Sequence, residues 1–491
     1  MKNLNPLLLT DFYKCVHHDQ YNKDIDYLVS YYTPRGSRIG LDKVVCFNIQ
    51  GFIKKYLIEY FNENFFNRPK ADVCREYDEV LRWTLGEGLY NVEKIQKLHD
   101  LGYLPLEISA VPEGTLVPMR VPMIQIRNTV PGFAWVVNTI ETLMSCSLWH
   151  PMLVATIGRE YRKIADRAYE ISSDNEIGGA NAIGDFSLRG QESLESGTAS
   201  SAAFMLSHNK TATIPAIHYL CRFYNANFKT DIVGKGMCST EHSVMCSDYV
   251  ITSDERETYR RLLTEVYPSG NFSAVCDSYD YWNIIDNVLP SLKDEILNRD
   301  GILFVRGDSG NPIDIVCETV EHLWNSFGGI INSKGYKVLD KHIRVIYGDS
   351  ITLERAKTIY NRLIKSGFAA DNVALGAGSF SMLCIEENGI LKPFTRDTFG
   401  VAVKTTWGKL KDGTIIEIFK NPKTDDGTKI SQKGLCYVNY NVLGELSYED
   451  QVSEEKMMSS SNMIQPIFRD GKMLKETSLN EIRQRIMKNN K

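Results

Sequence analysis

The alternation of apolar and polar positions changes rhythm several times along this chain. Leu28–Tyr32 is almost continuously apolar and reads as a strand running into the turn Thr33-Pro34-Arg35-Gly36-Ser37-Arg38. From 44 to 100 apolar residues recur at helical spacing, and Phe52, Tyr56, Leu57 and Tyr60 are expected in the core. Between 104 and 131 the pieces become β-like: Ile108–Val111, Leu116-Val117 and Ile124–Ile126. Proline and glycine separate them, as in a small antiparallel or mixed layer. Residues 133–171 return to a helical period, with Arg159, Arg162 and Lys163 expected on a solvated face.

From about 180 the pattern becomes short apolar strands, each ending in a polar or glycine-rich break and followed by an amphipathic stretch. The clearest are Ser273–Val275 before Asp277, Leu303–Val305 before Arg306, Ile343–Ile346 before Gly348-Asp349, and Val373–Leu375 before Gly376. Helices are expected over 314–326 and 352–366. A repeat of about 30–40 residues fits stacked βα units, in which ligand chemistry collects at the carboxyl ends of the strands. Asp277, Arg306, Asp308, Asp349 and Gly376 all fall there. The last 85 or so residues return to short strands, glycine turns and a charged helical tail.

With 491 residues, 43% hydrophobic and 24% charged, the chain suits a globular protein of two or three structural units. A formal charge of −5 argues against nucleic acid or an anionic membrane as partner, so any phosphate site is expected to be a local basic pocket. The eleven cysteines include no C-x-x-C pair, which suggests neither a zinc site nor a disulfide framework. Met1–Pro6 does not read as a secretory leader, and no apolar run approaches the roughly 18 residues of a membrane helix. The expectation is a cytoplasmic protein.

Several segments carry chemistry. Arg306-Gly307-Asp308 places a cation and a carboxylate two residues apart at the end of a strand, pointing the same way. Gly376-Ala377-Gly378-Ser379 is small enough for backbone amides to approach an anion, with Arg396 and Lys404 downstream as cationic partners. In Asp185–Gly190, Phe186 precedes Arg189 by three, a ring-stacking residue and an anion holder, or a core Phe beside a surface Arg. Glu241-His242 sets an acid before an imidazole, a pairing more often structural than catalytic. Thr10 or Asp11 is expected to cap a helix whose adjacent His17 and His18 diverge and make poor joint metal ligands.

Taken together, Thr10–Lys14, Asp185–Gly190, Thr240–Ser243, Cys276–Asp280, Arg306–Pro312, Arg344–Asp349 and Thr395–Asp397 resemble the nicotinamide phosphoribosyltransferases, a type II phosphoribosyltransferase family. The resemblance spans nearly the whole chain. It implies an α/β fold: a βα barrel-like catalytic domain over 181–392 and a mixed α/β domain built from 1–180 and completed by 393–491. It further implies a pentosyltransferase of NAD biosynthesis that joins nicotinamide to phosphoribosyl pyrophosphate, giving nicotinamide mononucleotide and pyrophosphate. The expected assembly is a head-to-tail homodimer with shared active sites, using Mg²⁺ and coupled to ATP through a phosphohistidine.

By the same resemblance, Phe186 and a partner copy's Tyr13 would sandwich the pyridine, with Arg189 and Asp11 nearby. Asp308 would stabilise positive charge at the ribose. Arg306, Asp277 and Asp349 would line the ribose and pyrophosphate site, and Arg35, Arg396 and Lys404 would hold phosphates. Gly348 and Gly378 would give backbone contacts, with Ser379 beside them. His242 would carry the phosphoryl group, oriented by Glu241. The resemblance leaves the metal ligands unassigned.

Three departures bear on specificity. Ala212 replaces an aspartate that would accept from the carboxamide, which weakens the preference for nicotinamide over nicotinate. The loop Gly376–Phe380 is followed by an insertion through about Gly389, and Ala402 replaces a serine at the 5′-phosphate. A donor larger than phosphoribosyl pyrophosphate, ADP-ribose pyrophosphate, is therefore the alternative, giving NAD directly. A non-catalytic ligand sensor on the same fold is the alternative from another class, and the retained Asp308, Arg306 and His242 weigh against it.

Overall fold

The computed structural model describes residues 4–175, 178–424 and 429–488. The first residues of the amino terminus read above, Met1–Asn3, lie outside them. The chain divides into two compact units, and the division falls inside the helix Glu141–Ser172. One unit comprises Met1–Thr156, Arg222–Ala226 and Thr395–Lys491; the other comprises Ile157–Cys221 and Asn227–Phe394.

The first unit is built on an antiparallel seven-stranded sheet. Its order is Ile415–Glu417, Ala402–Leu410, Ile25–Thr33, Ile124–Asn128, Leu106–Ala110, Gln465–Arg469 and Lys472–Met473. Amino-terminal and carboxyl-terminal strands are thus interleaved. Leu28, Tyr31 and Tyr32, in the strand Ile25–Thr33, are fully buried, and Val29 is nearly so. Helices over Ile49–Phe66 bury Phe52, Tyr56 and Leu57, as their spacing predicts. Glu113 anchors the start of these helices, accepting the amides of Asn48 at 3.2 Å and Gln50 at 2.7 Å. Its complete burial raises the carboxyl pKa to about 7.

The second unit carries a parallel seven-stranded sheet in barrel-like order. The strands run Lys210–Thr211, Ile183–Asp185, Val373–Ala377, Ile343–Tyr347, Leu303–Gly307, Phe272–Val275 and Cys238–Ser239. A parallel bridge from Lys210 to Lys235 joins the two edges, so the strands follow one another around a ring in chain order. Leu303, Val305, Ile343, Val345, Val373 and Leu375 are all buried, alternate positions that turn one face of the parallel sheet into core. The helix Pro312–Phe327 starts at Asn311, whose side chain accepts the Ile313 amide, and ends at Gly328 with φ +73°. The helix Leu353–Lys365 buries Ala356, Ile359, Tyr360 and Leu363, an i, i+3, i+4, i+7 stripe.

Two details of the sequence reading are corrected. Arg159 is buried at 8% exposure and Arg162 bonds Asp166 and the Ser207 carbonyl, leaving Lys163 as the solvated residue of the three. Helical spacing marks an amphipathic face but not which polar residues the next element will cover. Asp11 sits at the N-cap of Phe12–Gln20, yet its carboxylate accepts from Thr142 Oγ1 at 2.8 Å instead of from the helix.

Candidate active site

Parallel pairing sets the strand ends of the second unit at one level. Arg306 is in register with Val275 and with Ile346, so Asp277 and Asp308 stand two residues beyond that level and Asp349 three. Asp277 organises the group. Its Oδ2 accepts the Asp308 amide at 3.0 Å and the Ser309 hydroxyl at 2.6 Å. Its Oδ1 is buried without a hydrogen-bond partner, with His242 Nε2 at 3.8 Å.

Arg306 lies beneath, donating from Nη2 to the Thr240 carbonyl at 3.0 Å, with Nε 3.1 Å from Asp308 Oδ2. Arg306 and Asp308 are therefore ion-paired inside the constellation. Burial raises the Asp308 pKa; Arg306 opposes this and Asp277 adds to it, with smaller effects from His242 and Asp349. Burial and then Asp349, Asp308 and Asp277 push the Tyr347 phenol up to about 12, while its hydroxyl donates to the Gly310 carbonyl at 3.2 Å.

His242 opens the helix His242–Thr252 and its side chain is half exposed, with Nδ1 3.4 Å from Ser278 Oγ. Glu241 does not reach it: its carboxylate takes the Ser243 hydroxyl. The groups beside the imidazole are Ser278 and Asp277, so the orienting role given to Glu241 is not what the geometry offers.

Phe186 occupies a seat made by glycines. A Cβ on Gly376 would lie 2.2 Å from its ring and one on Gly348 2.8 Å from it. The Phe186 amide donates to the Ala377 carbonyl at 2.9 Å, and Ser379 packs so close to Gly190 that a Cβ there would meet its Oγ at 2.0 Å. The loops after Asp185, Tyr347 and Ala377 thus converge, bringing Gly348, Gly378 and Ser379 near the ring, with Arg189 exposed on the turn Leu188–Gly190. The insertion forms a hairpin, Cys384–Glu387 with Ile390–Pro393, turning at Asn388-Gly389 with φ of +53° and +76°. Glu386 ties it down through Arg355 at 3.1 Å and Thr352 at 3.0 Å, while Ile390 and Leu391 stay exposed.

In the first unit, Arg35 donates from Nε to the Gly400 carbonyl at 2.7 Å, and Arg396 lies half exposed in the turn Arg396–Thr398. Lys404 has a lowered pKa through burial, opposed by Glu141, with Arg35, Lys420 and Lys14 also depressing it. Lys14 pairs with Glu141 at 2.5 Å. Lys14 and Lys420 thus join Arg35 and Lys404 in a cationic cluster with Glu141 as its counter-ion, none of the three new members being singled out in the sequence reading, although Lys14 ended one of its motifs. Thr240, Ser278, Ser309 and Tyr347 were missed likewise in the second unit. Tyr13 and Phe12 are exposed on the helix Phe12–Gln20.

For a magnesium ion the residues fit. Oδ1 of Asp277 is an orphaned buried carboxylate oxygen, and Asp308 and Asp349 add hard oxygen donors nearby. Among the described residues no group of three or more His, Cys, Asp or Glu could by itself hold a metal.

A parallel barrel-like unit with acids and an arginine at its strand ends, joined to an antiparallel sheet, defines a type II phosphoribosyltransferase, and the comparisons agree. The family model for the nicotinate phosphoribosyltransferase (NAPRTase) family matches residues 182–461, and that for the nicotinamide phosphoribosyltransferase N-terminal domain matches 5–108. The crystal structure of nicotinate-nucleotide pyrophosphorylase from Pyrococcus furiosus has the same fold, with a TM-score of 0.59 at 12% identity over 100% of this chain and 98% of that one. The chain is 40% identical to the nicotinamide phosphoribosyltransferase of Acinetobacter baylyi over 98% of its own length and 97% of the relative's. It is 31% identical to that of Xanthomonas campestris over the same shares. The chain belongs to the nicotinamide phosphoribosyltransferase family and is a pentosyltransferase. Among the described residues no helix is long and apolar enough to cross a membrane.

Proposed function

We propose that this chain transfers the 5-phosphoribosyl group of phosphoribosyl pyrophosphate to the ring nitrogen of nicotinamide, a step of NAD biosynthesis. The observation that carries the reading is the acidic layer of Asp277, Asp308 and Asp349 around Arg306 at the carboxyl ends of the barrel strands. The pyridine nitrogen attacks C1 of the ribose, the C1–O bond breaks, and pyrophosphate leaves with the electron pair. Between the two the ribose carries positive charge, and Asp308 is the carboxylate to stabilise it. Because Asp308 is partly desolvated, its interaction with that charge is stronger than in water. Arg306 neutralises the leaving pyrophosphate, and no strong general base is needed because the nucleophile carries no proton. Magnesium, held by Asp277 with Asp308 or Asp349, would supply further charge neutralisation for the phosphates.

His242, half exposed beside Asp277 and Ser278, takes the γ-phosphoryl of ATP on an imidazole nitrogen with release of ADP. Its hydrolysis couples ATP to the transfer. The exposed Phe12 and Tyr13 suit a homodimer in which Tyr13 of one copy covers the base on Phe186 of the other. The test of the main reading is incubation with Mg²⁺, nicotinamide and phosphoribosyl pyrophosphate: mononucleotide should form, and its absence would sink the proposal. Label from γ-³²P-ATP should appear on wild type and not on His242→Ala.

A second reading draws on the hairpin that follows Ser379. Its exposed Ile390 and Leu391 offer apolar surface for a donor with an added nucleoside, as in ADP-ribose pyrophosphate. Supplying that donor with nicotinamide would then give NAD directly, and shortening the hairpin would remove NAD formation while leaving mononucleotide formation in place.

A further inference from the structure

The strand Lys210–Thr211 carries a lysine that none of the chemistry above uses. Lys210 stands in register with Gly184, and Gly184 with Gly376. Its side chain therefore shares a face of the sheet with Phe186, two residues beyond Gly184. The two residues are close: a Cβ on Gly184 would lie 3.2 Å from the Lys210 Cβ and 3.4 Å from Cε1 of Phe186. Nζ lies 5.8 Å from the ring centroid of Phe304. Phe304 in turn forms, with Ile346 and Ala374, the small cluster against which Phe186 packs.

This ammonium is oddly placed. No carboxylate among the described residues pairs with it, and burial holds its pKa below the usual lysine range with no neighbouring charge contributing. The face of Phe304 offsets only part of the cost of desolvating a cation. A lysine offers three donors and no acceptor. Ala212, two residues on and bonded through its amide to the Asp185 carbonyl, adds no side-chain acceptor. The ground beside the stacking ring is thus equipped to read an oxygen and not an N–H.

We propose that Lys210 is a specificity-determining residue of the base subsite, its ammonium donating to the oxygen of the ring's 3-substituent, so that this chain accepts the pyridine carboxylate as well as the carboxamide. The proposal rests on the phosphoribosyl-transfer reading above. A charge-assisted bond to a carboxylate is stronger than one to a neutral carbonyl, so loss of the ammonium penalises the acid more than the amide.

The measurement is kcat/KM for nicotinate and for nicotinamide with phosphoribosyl pyrophosphate, in wild type, Lys210→Met, Lys210→Arg and Ala212→Asp, each checked for folding by thermal melting. Wild type is expected to use both bases within about tenfold of one another. Lys210→Met should lower the acid-to-amide ratio by about 30-fold or more, and Lys210→Arg should retain most of it. If Lys210→Met does not fold, Ala212→Asp tests the same point with the lysine in place, since a new carboxylate should lower the ratio. A ratio unmoved in either variant, or a wild type that makes mononucleotide from the amide alone, overturns the role of Lys210. Absence of mononucleotide from both bases overturns the transfer reading itself.

Discussion

Asp277 holds Asp308 through the backbone: Oδ2 of Asp277 accepts the Asp308 amide at 3.0 Å. One acid thus fixes the position of the other while keeping its second oxygen, Oδ1, free of hydrogen bonds. This arrangement holds two carboxylates in one partly buried site with their positions fixed by the loop backbone.

Asp308→Asn is expected to lower kcat by about 10²–10³-fold with little change in substrate KM, the signature of a group that acts on developing charge. Steady-state kinetics decide this, and a variant that turns over like wild type would remove Asp308 from the chemistry.

The same variant should be more stable than wild type at neutral pH. The folded state raises the Asp308 pKa, mainly through burial, so it holds that proton more tightly than the unfolded chain does. Wild type therefore loses stability as pH rises from the unfolded carboxyl range to the folded one, and Asp308→Asn does not. Melting curves at pH 4 and pH 7.5 or so should show the variant's advantage only at the higher pH.

Glu113, in the first unit, makes a parallel case, with its pKa raised from 4.5 to about 7. Its contribution to stability is greatest below pH 4.5 and declines as pH rises to about 7, then stays level. Glu113→Gln should flatten that dependence, so the stability it costs relative to wild type is greatest at low pH. Urea unfolding across that range measures both effects.

Gly376→Ala should displace Phe186, since the new Cβ would lie 2.2 Å from the ring and 2.9 Å from the Gly348 Cα. The expected result is a rise of about tenfold or more in KM for the base, with KM for the donor changing less. Equal effects on both substrates would mean that the whole strand end has moved.

Chelation should abolish turnover without lowering the melting temperature of the free protein, because no cluster of three protein ligands holds the metal among the described residues. Magnesium with pyrophosphate should raise the melting temperature more than magnesium alone, the mark of an ion bound through its substrate.

The parts of this architecture legible in sequence were those with a strong period. The strands around Phe304, Val345 and Ala374, and the helices Pro312–Phe327 and Leu353–Lys365, lie within a residue or two of where apolar spacing places them. The seventh strand was not legible, because Lys235-Gly236-Met237-Cys238-Ser239 has neither alternation nor an apolar run. It is extended because its neighbours offer it ladder partners on both sides. The destination of Glu241 was similarly hidden, since adjacency in sequence says nothing about which hydroxyl a carboxylate will find. Lys210 lay in plain view but carried no motif, and register with Gly184 is what sets it beside Phe186.

That seventh segment is also where the ring is most lightly fastened. On one flank it is held at Lys235, which accepts the Thr211 amide and donates to the Asn209 carbonyl; on the other it ends at Thr240, whose carbonyl receives Arg306. Most of its residues between are exposed, so its amides should exchange with solvent ahead of the other strands. A pyrophosphate that clamps Arg306 should slow that exchange, since opening the seam would forfeit its binding energy. Deuterium uptake over 235–240 should then act as a built-in gauge of whether the catalytic end of the barrel is filled.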